Sequence, residues 1–253
     1  MNSSDTVRPL VIAHRGFSSI APENTIAALR AARLLGSQYS ECDVRLTADG
    51  IPVLIHDESL LRTGGLNLKV SNVLSATLQD IDVGSWLSPT YAGEAVPTLA
   101  AALRETSDSM GLIIELKGTG MAAAVAGVIM KSNTALDKLI LFSFDWTELI
   151  STQSMIPGIR GMWLVDHALA GRATIDQILD RAAAAGLSGV GVQSSLLDKA
   201  WLAGASRRSL YVFAWTVNTR DEMTRMAYLG VHGIISDKPD ELIATLETIA
   251  SSA

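Results

Sequence analysis

Gly111-Leu112-Ile113-Ile114-Glu115-Leu116-Lys117 runs apolar and then sets two charged side chains two positions apart. A strand without polar alternation suits a parallel sheet covered on both faces. Side chains two apart on a strand share a face. Leu139-Ile140-Leu141-Phe142 has the same continuous apolar character. Outward from these, strand-like runs are read at 10–14, 39–44, 52–56, 160–165, 189–193, 210–217 and 233–236. Ala/Leu-rich helical stretches are read at 23–36, 75–82, 98–107, 121–132, 145–155, 174–186, 196–206, 219–229 and 239–251. That alternation is the signature of an α/β protein. Polar side chains at the ends of apolar strands are how barrel enzymes build their sites.

The runs at 111–117 and 139–144 bring the strands to nine, one more than a closed eight-stranded barrel holds. The second and third are separated only by Arg45-Leu46-Thr47-Ala48-Asp49-Gly50-Ile51. That is too short for a helical crossover. Either the chain doubles back there as a ribbon, or one run lies outside the barrel. From Asp57 to Pro97 the chain is mostly polar, with Gly64-Gly65 and Ser88-Pro89, and is expected to leave the barrel and form a lip over the site. Helix signals agree with the rest: Pro22-Glu23-Asn24-Thr25 and Asp237-Lys238-Pro239-Asp240 precede helical runs, and Gly36, Gly186 and Gly230 follow them. No linker, repeat or low-complexity tract divides residues 1–253. One domain is expected, with 58–96 as the insertion.

The 253 residues are 48% hydrophobic, enough for a large core. With 20 Lys+Arg against 26 Asp+Glu the net charge is −6, a poor balance for sequence-independent nucleic-acid binding. Cys42 is the one cysteine, so no intrachain disulfide forms and no oxidising compartment is demanded. No basic-then-apolar leader and no apolar run of about 18 residues is seen. A soluble cytoplasmic protein without a stable membrane anchor is expected.

The chemistry gathers at strand ends. Glu41 and Asp43 alternate in Tyr39-Ser40-Glu41-Cys42-Asp43-Val44 and can aim at one point, with Cys42 facing away. Two carboxylates on one face repel unless a cation neutralises them. An oxygen-ligated Mg²⁺ or Ca²⁺ does this most simply; a salt-bridge network through Arg45 is the alternative. His14 closes Leu10-Val11-Ile12-Ala13, and His56 closes Pro52-Val53-Leu54-Ile55. Both can exchange protons near neutral pH. A surface turn around His14, or a turn cap by Asp57 beside an exposed His56, is the alternative. Arg15 offers a planar fork to a phosphate or carboxylate. Glu115 can complete a metal shell and Lys117 can reach a phosphate oxygen, unless they form only a surface pair. Trp215, ending Val212-Phe213-Ala214, can wall a pocket or pack in the core. Ser143, Asp145 and Gln193 lie near strand ends and are candidates for the mouth. His167 and His232 have no partner motif and read as surface or loop residues. No nucleophile elbow, P-loop or dinucleotide fingerprint is present.

Together these residues resemble the glycerophosphodiester phosphodiesterase family. The resemblance rests on Ala13-His14-Arg15-Gly16, Pro22-Glu23-Asn24-Thr25, Glu41-Cys42-Asp43-Val44, Leu46-Thr47-Ala48-Asp49-Gly50, His56-Asp57, Ile114-Glu115-Leu116-Lys117, Trp215-Thr216-Val217-Asn218 and Gly233-Ile234-Ile235-Ser236-Asp237-Lys238-Pro239. It implies a (β/α)8 TIM barrel with a small insertion after the third strand. It also implies Glu41, Asp43 and Glu115 as ligands of one divalent cation, Mg²⁺ or Ca²⁺. His14 and His56 become the acid–base pair, with His14 favoured as base and His56 as acid. Arg15 and Lys117 hold the phosphate, beside Trp215. The implied reaction is metal-dependent hydrolysis of a small-molecule glycerophosphodiester to sn-glycerol 3-phosphate and an alcohol. Rival readings are a lysophospholipid or phosphoinositol substrate, or a catalytically silent barrel that binds a phosphometabolite. The head group and oligomeric state are open. Two departures, His232 and the loose insertion motif Arg62-Thr63-Gly64-Gly65-Leu66-Asn67, are not expected to touch the proposed ligands or catalytic pair.

Overall fold

The computed structural model describes residues 8–106 and 109–252. The sequence up to Val7, and position 107 of the expected fourth-strand approach helix, lie outside the described residues. Among the described residues nine strands form: β1 (Leu10–Ala13), β2 (Tyr39–Leu46), β3 (Pro52–Leu54), β4 (Gly111–Leu116), β5 (Leu139–Ser143), β6 (Arg160–Val165), β7 (Gly189–Gln193), β8 (Tyr211–Trp215) and β9 (Gly233–Ser236). Eight of them pair in parallel. β1 bonds to both β2 and β9, which closes the sheet on itself as a barrel. The ninth, β3, resolves the surplus. It doubles back antiparallel on the end of β2, with Val44 opposite Leu54 and Leu46 opposite Pro52, and stands outside the barrel. The sequence Thr47-Ala48-Asp49-Gly50 makes the turn, closed by the Thr47 amide donating to the Ile51 carbonyl at 3.1 Å.

Helices between the strands cover the outside. Their ends carry the local chemistry that the sequence announces. Thr25 caps Ile26–Leu35, accepting from the Ala28 amide, and Gly36 ends that helix in the left-handed conformation. Thr174 and Gln177 form a reciprocal capping box at the start of Ile175–Ala184.

Strand alternation sorts the core into two layers. Ile12, Ile113, Ile140, Phe142, Met162, Leu164, Phe213 and Ile235 fill the barrel interior. Val11, Cys42, Val44, Ile114, Leu141 and their neighbours face the helices. Cys42 therefore points outward and is fully buried there, while Glu41 and Asp43 point inward.

The excursion after β3 has a core of its own: Val53, Ile55, Leu60, Val70, Val73, Leu78, Ile81, Val83 and Val96. This packing overrides the helix expected over 75–82, which is regular only from Ser75 to Leu78. Beyond it Ile81 and Val83 turn inward, and Asp82 accepts from the amides of Gly84, Ser85 and Gly93. Two four-residue helices, Leu61–Gly64 and His167–Ala170, are too short to leave a 3.6-residue period in the sequence. Among the described residues, no helix is long and apolar enough to cross a membrane.

Candidate active site

Parallel closure brings every strand's C-terminal end to one rim of the barrel. Register then decides which side chains meet. Asp43 on β2 lies beside Glu115 on β4, and Glu41 lies beside Ile113, so the three carboxylates share the inner face. One oxygen of each lies within 4.8 Å of one of each of the others. All three residues are buried. Glu41 Oε1, Asp43 Oδ1 and Glu115 Oε1 accept no hydrogen bond among the described residues.

Two cations oppose them. Arg15 Nε lies 3.1 Å from Asp43 Oδ2, and Lys117 Nζ lies 3.3 Å from Asp43 Oδ1 and 2.6 Å from Glu115 Oε1. The Lys117 contacts are close as charges but misaligned as hydrogen bonds. Burial pushes carboxyl groups up, and the result depends on which charges answer it. Glu41 feels burial and then the neighbouring Asp43 charge, and is pushed up to about 8. Glu115 is also raised, by burial and Asp43, against the pull of Lys117. Asp43 is buried too, but Arg15 and Lys117 outweigh that and hold it below the ordinary carboxylate range.

The histidines flank this cluster, and each has its Nδ1 anchored on an aspartate. His14 Nδ1 lies 2.6 Å from Asp237 Oδ1, with Nε2 3.9 Å from Glu41 Oε2. His56 Nδ1 lies 2.7 Å from Asp57 Oδ1. Burial disfavours the charged form of His14, but the bond to Asp237 and the nearby Glu41 raise its pKa overall. At His56 burial prevails over Asp43 and Asp57, and the pKa falls. Asp237 is in turn held by Asn218 Nδ2 at 2.6 Å and Ser18 Oγ at 3.1 Å.

Arg15 sits in the left-handed region at φ 56°, rare for a residue with a side chain. The turn is secured by its amide donating to Glu41 Oε2 at 3.1 Å and by Gly16 at φ 84°. Asn24, also left-handed at φ 58°, brackets Asp43: its Nδ2 donates to Oδ2 at 2.9 Å and its Oδ1 accepts the Asp43 amide at 3.0 Å.

A cavity of about 190 Å³ opens over these groups, with His14, Arg15, Glu41, His56, Glu115 and Lys117 on its polar side. Phe142, Phe144, Leu164, Trp215 and Ile235 wall the apolar side. Trp215 meets Phe144 edge-on at 5.5 Å, and Lys117 Nζ lies 5.7 Å from the Phe144 ring centre.

Of the eight residues given a role in the expected site, seven line the cavity, Trp215 among them, and the eighth, Asp43, lies against Arg15, Lys117 and the other two carboxylates. Several other expectations change. Arg45 does not neutralise the carboxylates; it donates to the carbonyls of His56 at 2.8 Å and Lys117 at 2.7 Å. Ser143 and Asp145 are absent from the cavity wall, because Ser143 bonds the Leu116 carbonyl and Asp145 caps the helix Trp146–Met155. Gln193 does not line it either. His167 is exposed and bonds Ser195, as a surface residue would. His232 lies in the loop before β9, half-buried, where its ring accepts the Val212 amide at 3.0 Å at the opposite barrel end. Arg62 touches neither the three carboxylates nor the two histidines, as expected, but it bonds Asp57 behind His56. Glu23, Asn24, Asp57, Asn218 and Asp237 were legible only as family motif or helix-start residues. Their roles as anchors depend on contacts across the rim.

The chain is similar to known proteins over most of its length. The chain is 32% identical over 245 residues to a glycerophosphodiester phosphodiesterase of Caldanaerobacter subterraneus, covering 94% of this chain and 97% of that one. A solved phosphodiesterase from Oleispira antarctica, in complex with the product sn-glycerol-3-phosphate, superposes with a TM-score of 0.84 at 29% identity, over 97% of this chain and all of that one. The glycerophosphodiester phosphodiesterase of Thermotoga maritima superposes with a TM-score of 0.77 at 26% identity, over 94% of this chain and 98% of that one. The glycerophosphoryl diester phosphodiesterase family model matches residues 14–241, from the first strand-end histidine into the last helix. With the barrel, the rim and that match agreeing, the chain belongs to the glycerophosphoryl diester phosphodiesterase family of phosphoric diester hydrolases.

Proposed function

We propose that this chain hydrolyses glycerophosphodiesters to sn-glycerol 3-phosphate and an alcohol, using a divalent cation held by Glu41, Asp43 and Glu115. The supporting observation is the meeting, around one cavity, of three buried carboxylates, two cations and two aspartate-anchored imidazoles. Family membership supports the substrate class, and the relative solved with sn-glycerol-3-phosphate supports the product. The barrel and its lip act as one domain on a small-molecule substrate. A cytoplasmic setting suits the single, buried, unpaired Cys42.

The donor set fits a hard dication. Each of the three buried carboxylates brings one oxygen to within 4.8 Å of the others, and Glu41 Oε1 has no hydrogen-bond partner among the described residues. When bound, such a cation, Mg²⁺ or Ca²⁺, supplies Lewis-acid stabilisation of negative charge on the phosphate. Arg15 offers the phosphate a planar fork, and Lys117 adds a point charge on the same side. Both reduce the repulsion that protects a phosphodiester from attack.

Protons move at Nε2 of each histidine, because each Nδ1 is committed to an aspartate. In the first step the substrate's own glycerol hydroxyl attacks phosphorus and loses its proton to His14. The bond from phosphorus to the leaving alcohol breaks, and His56 gives that oxygen a proton. Water then opens the cyclic phosphate with the two roles exchanged. A raised pKa makes His14 the stronger base, and a lowered one makes protonated His56 the stronger acid.

The test is turnover of choline, ethanolamine, glycerol and inositol glycerophosphodiesters, with sn-glycerol 3-phosphate measured directly, before and after chelation. Release of sn-glycerol 3-phosphate that is lost on chelation and restored by Mg²⁺ or Ca²⁺ is expected. Full turnover after rigorous chelation, or none on any diester, overturns the proposal.

A further inference from the structure

One guanidinium joins both halves of the polar rim. Arg62 Nε lies 2.8 Å from Asp57 Oδ2, and the other oxygen of that carboxylate lies 2.7 Å from His56 Nδ1. On its other edge Arg62 binds Glu23 in both places, Nη1 to Oε2 at 2.7 Å and Nη2 to Oε1 at 2.8 Å. Glu23 Oε1 also accepts from Arg15 Nη1 at 2.9 Å. The result is a continuous path of charge-assisted bonds, His56–Asp57–Arg62–Glu23–Arg15. It runs from a proton-handling group to a phosphate-binding one.

The planar guanidinium is suited to this as an ammonium is not. Its three contacts to two carboxylates fix direction as well as distance. Arg62 also stands on a firm base. It belongs to the helix Leu61–Gly64, whose neighbours Leu60, Ile81 and Val83 sit in the lip's own core. Close packing transmits position rather than absorbing it. A Cβ added at Gly64 would lie 3.0 Å from Ile81, so this helix is already tight against its support.

We infer that Arg62 is a positioning residue of the active site: from the lip, it orients His56 through Asp57 and Arg15 through Glu23. The inference rests on the proposed phosphodiesterase reading of the site. It makes the lip part of the catalytic assembly rather than a cover. A lip displaced from the barrel would release both the imidazole and the phosphate fork together.

The experiment compares wild type with Arg62→Ala and Arg62→Lys, alone and in a Glu23→Gln/Asp57→Asn background. Steady-state kinetics on glycerophosphocholine and inhibition by sn-glycerol 3-phosphate are measured. Thermal melting checks that each variant is folded. Arg62→Ala should lower kcat by about 10–100-fold, the scale of a misplaced catalytic group. It should also weaken inhibition by the product several-fold, because Arg15 is loosened. Arg62→Lys keeps the charge and should restore product inhibition better than kcat. In the double-substituted background the same Arg62→Ala change should cost less than about 3-fold, because its two routes are already cut. Wild-type kcat and product inhibition in folded Arg62→Ala overturn the inference. So does an undiminished loss in the double-substituted background, which would mean direct contact with substrate. A second readout needs no turnover. The Nδ1 proton of His56, shielded from exchange by Asp57, should give a downfield NMR resonance in wild type that weakens in Arg62→Lys and disappears in Arg62→Ala. If wild type hydrolyses no diester, the functional proposal fails while the resonance still decides the role of Arg62.

Discussion

Asp237 Oδ1 lies 2.6 Å from His14 Nδ1, joining the end of the last strand to the end of the first across 223 positions of sequence. β1 and β9 pair in register from Leu10 opposite Gly233 to Ala13 opposite Ser236. The next residue on each strand is therefore the histidine and the aspartate. The His14 amide donates to the Ser236 carbonyl at 2.9 Å, which continues the ladder up to the contact. That contact commits Nδ1 to Asp237 and leaves Nε2 for the proton exchange proposed above.

Asp237→Ala should therefore lower kcat by about 10²-fold, in the range of losing one correctly presented acid–base group. KM should change little, because Asp237 is not on the cavity wall. Steady-state kinetics on glycerophosphocholine check this. Equal kcat in the variant would show that His14 is oriented without its aspartate.

The same aspartate makes the fold sensitive to acid. Burial raises its pKa, but the bonds to His14, Asn218 and Ser18 prevail and hold it at about 2. An unfolded aspartate titrates near about 3.9. A group lowered on folding stabilises the fold fully above its unfolded pKa and ceases to do so as pH falls through its folded one. The contribution of Asp237 should thus be complete above about pH 4 and fade towards pH 2. Urea unfolding of wild type and Asp237→Asn at several pH values measures it. The gap between them should narrow below pH 4; a gap constant over the whole range would refute the linkage.

His14→Ala and His56→Ala should each reduce kcat by about 10²–10⁴-fold, the usual range for loss of a positioned general acid or base. His56→Ala should melt close to wild type, because its ring stands half-exposed at the cavity, whereas His14→Ala should melt lower, because Asp237 loses its imidazole partner. A folded His56→Ala enzyme with wild-type kcat would remove His56 from the reaction.

Burial pushes Glu41 and Glu115 up, and the proposed cation would supply positive charge that Arg15 and Lys117 leave short there. Added Mg²⁺ or Ca²⁺ should raise the melting temperature of the chelated protein. A ligand at 100 times its Kd stabilises by about 2.7 kcal/mol. Asp43→Asn or Glu115→Gln should shrink that shift. Differential scanning fluorimetry across a cation titration reads it directly, and equal shifts in wild type and both variants would place the cation elsewhere.

Gly16 turns the chain beside Arg15. Its φ is 84°, and an added Cβ would lie 2.5 Å from the backbone carbon of Ala28. That neighbour is helix backbone and cannot give way. Gly16→Ala should destabilise by about 2–4 kcal/mol, combining left-handed strain with overpacking. Urea unfolding is the measurement, and a loss below about 1 kcal/mol would mean that the turn can move.

The sequence by itself determined what depends on short-range geometry. Continuous apolar runs mark the strands because a parallel strand in a covered sheet has no wet face. The run read at 139–144 is β5, Leu139–Ser143. The two-residue period placed Glu41 and Asp43 on one face and Cys42 on the other, and the structure keeps that division. The strand-end histidines and carboxylates were legible for the same reason.

Only the tertiary structure decided which of these groups meet and what anchors them. Glu23 reads in sequence as an acidic residue before a helix, yet it binds Arg15 and Arg62. Arg62 reads as part of the polar insertion, and Arg45 as the alternative to a cation beside Glu41 and Asp43. Closure of β1 on β9 brings Asp237 to His14, and packing of the lip core brings Arg62 to Asp57. The physical reason is range. Periodicity follows from the backbone geometry of a few consecutive residues, whereas these contacts exist only once the sheet has closed and the lip has packed.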